Sequence, residues 1–488
     1  MLLADDVREG AGAVAAIERG ACGHGLSNID GFAARDPAAG GALEVVCAAM
    51  DEALLENLLE WLRIPSISTG EGEPADLLRA AEFVVRLVRG AGGEGDVVTV
   101  GEGNPLAVGE LRARDPDAPT VLLYGHYDVQ SVGPPEAWTT PPFEPEIRDG
   151  RLWGRGTSDD KGNFLPLLHA ACTLARAGEL PVHVRVLVEG EEEAGGESVA
   201  AWVQADERGA DAVIVFDSGM EDPQTPAITV GLRGMLAAHI TVTAQPRDLH
   251  SGMYGGSVLN ALHVLHGVLA NVLPGPDGAV REELRAGVAP VSPAELEAWE
   301  RLPSGDAILA EVGARPLHAG AGAGFRTRNG AEPSIEVDWI EGGAPRSIVP
   351  ARAQAFLSMR LAPRQDPGEM RAQLEALLRD GLPDGAELEL AWQMGAPALF
   401  DPELPAIRLA ADAIDRATGL HTVFVRTGGS IPVVAEFADR GIPVIVSGFG
   451  LADDDIHAPD ESYRLESLEL GLRAARELLL ALADLPRG

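Results

Sequence analysis

Three apolar runs constrain this chain more than any other feature, because each leads into residues that can hold a proton or a metal ion. VLLYGH (121–126) ends on Gly125 and His126, PVHVRVLVEG (181–190) runs into the acids around Glu189–Glu193, and DAVIVFD (211–217) ends on Asp217. Short apolar runs of this kind read as strands, the second with Val182, Val184, Val186 and Val188 on one face. Between the first two, FLPLLHAACTLARAG (164–178) reads as a helix with a glycine stop. The alternation predicts a mostly parallel sheet flanked by helices, an α/β fold. In such sheets the chemistry gathers beyond the carboxyl ends of the strands, where His126, the glutamates and Asp217 fall.

The rest of the chain divides around that pattern. MDEALLENLLEWLRIPSIS, from Met50, places Leu54, Leu55, Leu58, Leu59 and Leu62 at helical spacing, so the folded body is expected to begin near residue 50. Residues 1–49 are rich in Ala and Gly and read as an extension, either disordered or a misassigned start. The α/β pattern fills 50–235. In 236–395 three strands (MLAAHITVTAQ, SIEVDWIEGG, AQAFLSMRLAP) accompany two helices, SVLNALHVLHGVLANVL (257–273) and EMRAQLEALLRDGL. This reads as an inserted α+β domain. After 396 the α/β pattern resumes to 488, closing with a helix from 465.

Composition excludes some functions. Thirty-eight basic residues against 75 acidic ones leave a net charge of −37, a surface that repels nucleic acid and anionic lipid. The absence of a twenty-residue apolar run predicts no membrane span. Three cysteines, Cys22, Cys47 and Cys172, with no C-x-x-C pair, argue against a disulfide framework and for a cytoplasmic location. No basic n-region or apolar h-region opens the chain, so no signal peptide is expected.

Several short stretches could carry chemistry. In GHYDVQ, Asp128 could accept the second ring N–H of His126 and orient it toward a metal, although a strand-end histidine taken alone is more readily a satisfied core residue. In GTSDDKGNF (156–164), Asp159 has two oxygens that could bridge two cations, and the flanking glycines allow a sharp turn. A solvated turn is the plainer reading. In GEEEAGG (190–196), one glutamate could bind metal while its neighbour takes a proton from water. Asp217 could be an N-cap, and His457 in DDDIHAPDE an ordinary loop histidine. Together, His126, Asp159, Glu193, Asp217 and His457 suit two zinc ions sharing one aspartate. Lys161, the only lysine in 488 residues, stands two places after Asp159.

These motifs resemble the zinc metallopeptidase family of carnosinases, aminoacylases, acetylornithine deacetylases and succinyl-diaminopimelate desuccinylases. The resemblance runs from 50 to 488. WTTPPFEPEIRDGRLWGRGTSDDKGNF is similar to the family's approach to its bridging aspartate, and GHYDVQ, DLHSGMYGG (248–256) and RTGGSIP (426–432) are similar to the carnosinase-like dipeptidase branch. It implies a catalytic domain interrupted by a lid and dimerisation domain. It also implies two divalent ions per subunit, zinc before manganese or cobalt. His126, Asp159 and Asp217 would hold one, and Asp159, Glu193 and His457 the other. Asp128 would steer His126, and Glu192, rather than Glu191, would be the general base. His250 would stabilise the oxyanion from the partner subunit of a homodimer. Arg360, with Gly429 and Ser430, would hold the substrate's carboxylate, with Ser347 assisting across the dimer. A cis peptide after Asp159 is implied too. For Lys161 the reading offers only a charge that neutralises or orients nearby carboxylates. The expected activity is hydrolysis of dipeptides or short peptides with a free C-terminus. The alternatives are an N-acyl amino acid deacylase and a non-catalytic metal-binding scaffold.

Overall fold

The computed structural model describes residues 51–70 and 72–486; the expected extension over 1–49, with Cys22 and Cys47, lies outside them. In chain order the strands considered are β1 (Glu94–Val98), β2 (Leu106–Leu111), β3 (Thr120–His126), β4 (His183–Glu189), β5 (Ala212–Phe216) and β6 (Ala227–Leu232). β7 (Gly234–Thr243), β8 (Ser334–Gly342), β9 (Arg352–Leu361) and β10 (Glu387–Gly395) follow, then β11 (Ala398–Leu399), β12 (Val423–Thr427) and β13 (Val444–Ser447). The main helices are α1 (Glu52–Leu62), α2 (Pro74–Gly90), α3 (Lys161–Ala177), α4 (Ala261–Ala270), α5 (Pro367–Asp380), α6 (Pro405–Thr418) and α7 (Leu465–Ala481).

The larger sheet has the order β1-β2-β4-β3-β5-β13-β6-β11, with β12 also on β6. Its centre is parallel, β3 lying between β4 and β5 and β13 beside β5. One end is antiparallel, through β1, β2 and β4. At the other end β6 runs against β13 and β11 and parallel to β12, so the sheet is mixed, with the parallel centre that the alternation predicts. His126 is in register with Glu189 and Phe216 with Ser447, so β3, β4, β5 and β13 finish along one edge. Helix α2 buries Leu77, Ala80, Ala81, Val84, Val85 and Val88, the stripe that its 3.6-residue period dictates, and packs on β1 and β2. Phe83 of the same helix stacks on Trp61 of α1 at 5.4 Å. Helix α7 packs against α3 and α6.

Two helix limits differ from the sequence reading. Helix α3 starts at Lys161, three residues early, because Phe164 N–H already bonds the Asp160 carbonyl at 2.8 Å. It stops at Gly178 (φ +66°) as expected. Helix α4 is shorter than 257–273. The Asn260 side chain accepts from the amides of Leu262 and His263, an N-cap that fixes the start at Ala261.

The second sheet, β8-β9-β7-β10, is antiparallel throughout. Its core combines Leu236, Ala238, Ile240 and Val242 of β7 with Ala355, Leu357 and Met359 of β9, and adds apolar side chains of α4 and α5. Short helices at Pro293–Trp299, Gly305–Glu311 and Phe325–Gly330 are among those not foreseen. Trp299 and Leu302 pack with Ala227 and Val425 of the larger sheet, and Trp299 Nε1 donates to the Phe424 carbonyl at 3.1 Å.

Candidate metal centre

The common edge of β3, β4 and β5 delivers three acceptor groups. His126 ends β3, Glu193 lies in a short turn after β4, and Asp217 follows β5. Asp159 comes from the loop before α3, and His457 from the loop after β13. The structure brings all five together in two trios, His126–Asp159–Asp217 and Asp159–Glu193–His457, with the ligand atoms of each trio within 4.8 Å of one another. Asp159 belongs to both and offers one oxygen to each. His126 Nε2 lies 3.1 Å from Oδ1 and His457 Nε2 lies 3.0 Å from Oδ2. His126 Nε2 is 3.8 Å from Asp217 Oδ1, and His457 Nε2 is 3.2 Å from Glu193 Oε2.

The electrostatics of the site call for positive charge. Burial works against a cationic His126, yet Asp128, Asp159 and Asp217 raise its pKa well above the usual imidazole value. Asp159 and Glu193 push His457 up to about 10. Burial opposes ionisation of Asp159, but its hydrogen bonds to the two histidines hold it well below the usual carboxylate range. Burial pushes Asp217 up to about 6 against the pull of His126, with Asp159 and Glu193 adding repulsion. Imidazoles and carboxylates gathered around a shared aspartate form a donor set that fits divalent cations of the zinc type.

Asp128 meets His126 through its backbone more closely than through its carboxylate. Its backbone carbonyl lies 3.0 Å from His126 Nδ1, while its carboxylate Oδ1 stands off at 3.4 Å. The other carboxylate oxygen accepts from Ser68 Oγ at 2.6 Å and from Glu193 N at 3.1 Å. Glu191 and Glu192 separate by partners. The Glu191 carboxylate accepts from Asn104 N at 2.8 Å and from the Ser198 amide and hydroxyl, so it ties down the loop. Burial pushes Glu192 up to about 9 against the pull of His126, with Asp217, Asp159 and Glu193 adding repulsion.

Three residues that the sequence reading passed over build the frame. Glu461, wholly buried, accepts from Arg155 Nη1 (2.7 Å) and from the amides of Gly156 (2.9 Å), Ser158 (2.9 Å) and Asp159 (3.1 Å). Asn163 donates to the carbonyls of Ser158 and Ser218 and accepts from Phe449 N and Tyr463 Oη, joining the segments that carry Asp159, Asp217 and His457. Asp160 accepts from His126 N at 3.2 Å. Glu461 was visible only as one more acid in DDDIHAPDE. The peptide between Asp159 and Asp160 is cis.

Lys161 is fully buried, and its Nζ donates to the carbonyls of Trp61 (3.2 Å) and Ile64 (2.9 Å). It thus closes the end of α1 rather than hydrogen-bonding a carboxylate. Burial lowers it to about 7. Lys161→Arg is therefore expected to destabilise the fold by ~1–3 kcal/mol, since a larger, permanently charged group must enter a filled space. Urea unfolding at neutral pH checks this, and an unchanged midpoint would reassign the lysine to general charge balance.

The remaining candidates share no described hydrogen bond or ion pair with the trio residues. Arg360 Nη1 is 3.4 Å from Ser430 Oγ, and Gly429 N donates to Thr427 Oγ1. His250 is exposed and pairs with Ile348, with Ser347 beside it accepting from Ser251 N at 3.1 Å. No described hydrogen bond or ion pair joins His250 to the five trio residues.

Comparison with known proteins gives consistent findings. Residues 122–481 match Peptidase family M20/M25/M40. The cysteinylglycine-S-conjugate dipeptidase of Corynebacterium striatum is 29% identical over 75% of this chain and 81% of its own. The Beta-Ala-His dipeptidase of Rattus norvegicus is 26% identical over 93% and 98%. Among solved structures, human carnosine dipeptidase 1 superposes with a TM-score of 0.76 at 23% identity, over 92% of this chain and 100% of its own. The M20 metallo-carboxypeptidase Sso-CP2 from Sulfolobus solfataricus gives 0.80 at 26%, over 89% and 100%.

Proposed function

Because the chain belongs to Peptidase family M20/M25/M40, we propose that it is a dinuclear-metal dipeptidase of the carnosinase-like branch. Its substrates are dipeptides or short peptides with a free C-terminal carboxylate. The observation that carries this reading is Asp159, whose two oxygens each face a histidine of a different trio. His126, Asp159 and Asp217 would hold one ion, and Asp159, Glu193 and His457 the other, zinc being the best match to this mixed donor set. When bound, such a pair would supply Lewis acidity that polarises the scissile carbonyl and lowers the pKa of water enough for hydroxide to form near neutral pH.

The chain's own groups supply the rest. With bound cations offsetting the burial and the repulsion from Asp217, Asp159 and Glu193 that otherwise keep it protonated, the Glu192 carboxylate would accept the proton of the attacking water and return it to the leaving amine. Its sequence neighbour Glu191 has its oxygens engaged by Asn104 and Ser198, which supports that choice. Arg360 and Ser430, with the Gly429 backbone, hold the substrate's carboxylate.

His250 donates to the oxyanion in a partner copy. Gly252 N–H donates to its Nδ1 at 3.1 Å, which fixes the proton on Nε2 as an outward donor. Met253 (73% exposed) and Tyr254 (42%) beside it give the loop the apolar surface that a subunit contact needs. The enzyme on this reading is a cytoplasmic homodimer, with Ser347 reaching across beside His250. Among the described residues no helix is long and apolar enough to cross a membrane.

The test is a panel of dipeptides assayed beside acetylated amino acids. Turnover of the dipeptides is expected; turnover of the acetylated set alone would make the protein a deacylase. The shared site has its own test. His250→Ala and Glu192→Ala, each inactive, are mixed and allowed to exchange subunits. Half of the dimers are then hybrids with one intact centre in two, so about a quarter of wild-type activity should return. Exchange without recovery would count against the shared site.

A further inference from the structure

A cavity of about 260 Å³ opens directly beside the first trio, with Asp159 and Asp217 in its wall. Its apolar lining comes from Met220, Leu451, Ala452 and Ile456. No lysine or arginine lines it, and neither Arg360 nor Ser430 does. Met220 is buried, whereas Ile456, next to the ligand His457, is 52% exposed. A concave apolar lining beside a few polar groups is the usual setting for a ligand.

The cavity is built by two loops held unusually close. Gly219 bridges Gly450, and Met220 N–H donates to the Gly450 carbonyl at 2.9 Å. A Cβ on Gly219 would lie 2.5 Å from that carbonyl oxygen, so only glycine permits this approach. The contact fixes Met220 against the Leu451–Ala452 segment, and Asn163, bonded to Ser218 O and to Phe449 N, braces both loops from below. The walls are therefore set by backbone rather than by mobile side chains.

Resting on the dipeptidase reading, we propose that this cavity receives the side chain of the substrate's N-terminal residue, and that Met220, Leu451 and Ile456 select an unbranched or γ-branched apolar one. In a dipeptide the residue with the free carboxylate goes to Arg360 and Ser430, so a cavity at the ions that lacks both residues takes the other residue. An acidic side chain would lose its hydration against Met220, Leu451 and Ile456, with no lysine or arginine in the lining to pair with it.

The experiment measures kcat/KM for a series X-Gly. Met-Gly and Leu-Gly should exceed Gly-Gly and Asp-Gly by about tenfold or more, the discrimination that a few buried methylenes provide. Met220→Trp fills the cavity and should lower the Met-Gly to Gly-Gly ratio by about tenfold. Met220→Ala enlarges it and should raise Phe-Gly relative to Met-Gly. Free L-methionine should inhibit the wild type more strongly than L-aspartate, and Met220→Trp should abolish that difference. A flat X-Gly profile, or ratios that neither substitution moves, overturns the inference while leaving the dipeptidase reading standing. Failure to cleave any dipeptide overturns both.

Discussion

Glu192→Gln should retain both metal ions and lose ~10²–10⁴ of kcat, the range that a positioned general acid–base group contributes. The substitution is isosteric and adds no charge to a pocket already crowded with carboxylates. Among the described residues, neither trio contains Glu192, so ion binding should survive. The amide cannot accept the proton of the attacking water, so the chemical step should fail while substrate binding persists. Metal content by mass spectrometry, with kcat and KM measured separately, checks this. A kcat within tenfold of wild type at full metal content would remove Glu192 from the reaction. Glu191→Gln is the useful contrast. It disturbs bonds to Asn104 and Ser198, so its effect should appear in stability before turnover.

The second large effect comes from a residue with no place in either trio. Glu461→Ala should destabilise the folded chain by ~3–5 kcal/mol, because it leaves a buried guanidinium without its partner. Arg155 is 1% exposed and its Nη1 bonds the Glu461 carboxylate. The same change orphans the amides of Gly156, Ser158 and Asp159. These amides hold the loop that presents Asp159, so metal affinity should fall together with stability. Chemical denaturation and metal titration, run in parallel, give the two readouts. Glu461→Gln keeps a carbonyl acceptor and should recover part of both. A stable, fully loaded Glu461→Ala protein would show that the loop holds itself.

The legibility of this protein follows the range of its interactions. Strand ends were readable because a strand's period and its terminating polar residue lie within a few positions; His126 and Asp217 come from that signal. Helix α4 began late because one asparagine at the N-cap outweighed an apolar pattern that extends further. The helices between 293 and 330 escaped because seven-residue elements such as Pro293–Trp299 carry too little periodicity. Glu461 and Asn163 escaped because their partners lie far away in sequence, Arg155 and Ser158 for one, Phe449 and Tyr463 for the other. Lys161 was conspicuous by composition. Its partners, the Trp61 and Ile64 carbonyls, are separated from it by about a hundred residues, and only the folded chain identifies them. Glu192 was preferred to Glu191 on resemblance, whereas the engagement of the Glu191 carboxylate by Asn104 and Ser198 is visible only in the folded chain.

The Glu461 clasp also bears on biosynthesis. A ribosome-bound chain exposes His126, Asp159, Glu193 and Asp217 long before His457 and Glu461 have emerged. Until the last strand and loop arrive, the shared aspartate lacks the anchor that aims its two oxygens apart. On the proposed dinuclear reading, the His126–Asp159–Asp217 trio would be synthesised first, and a second ion could be held only once His457 and Glu461 have emerged.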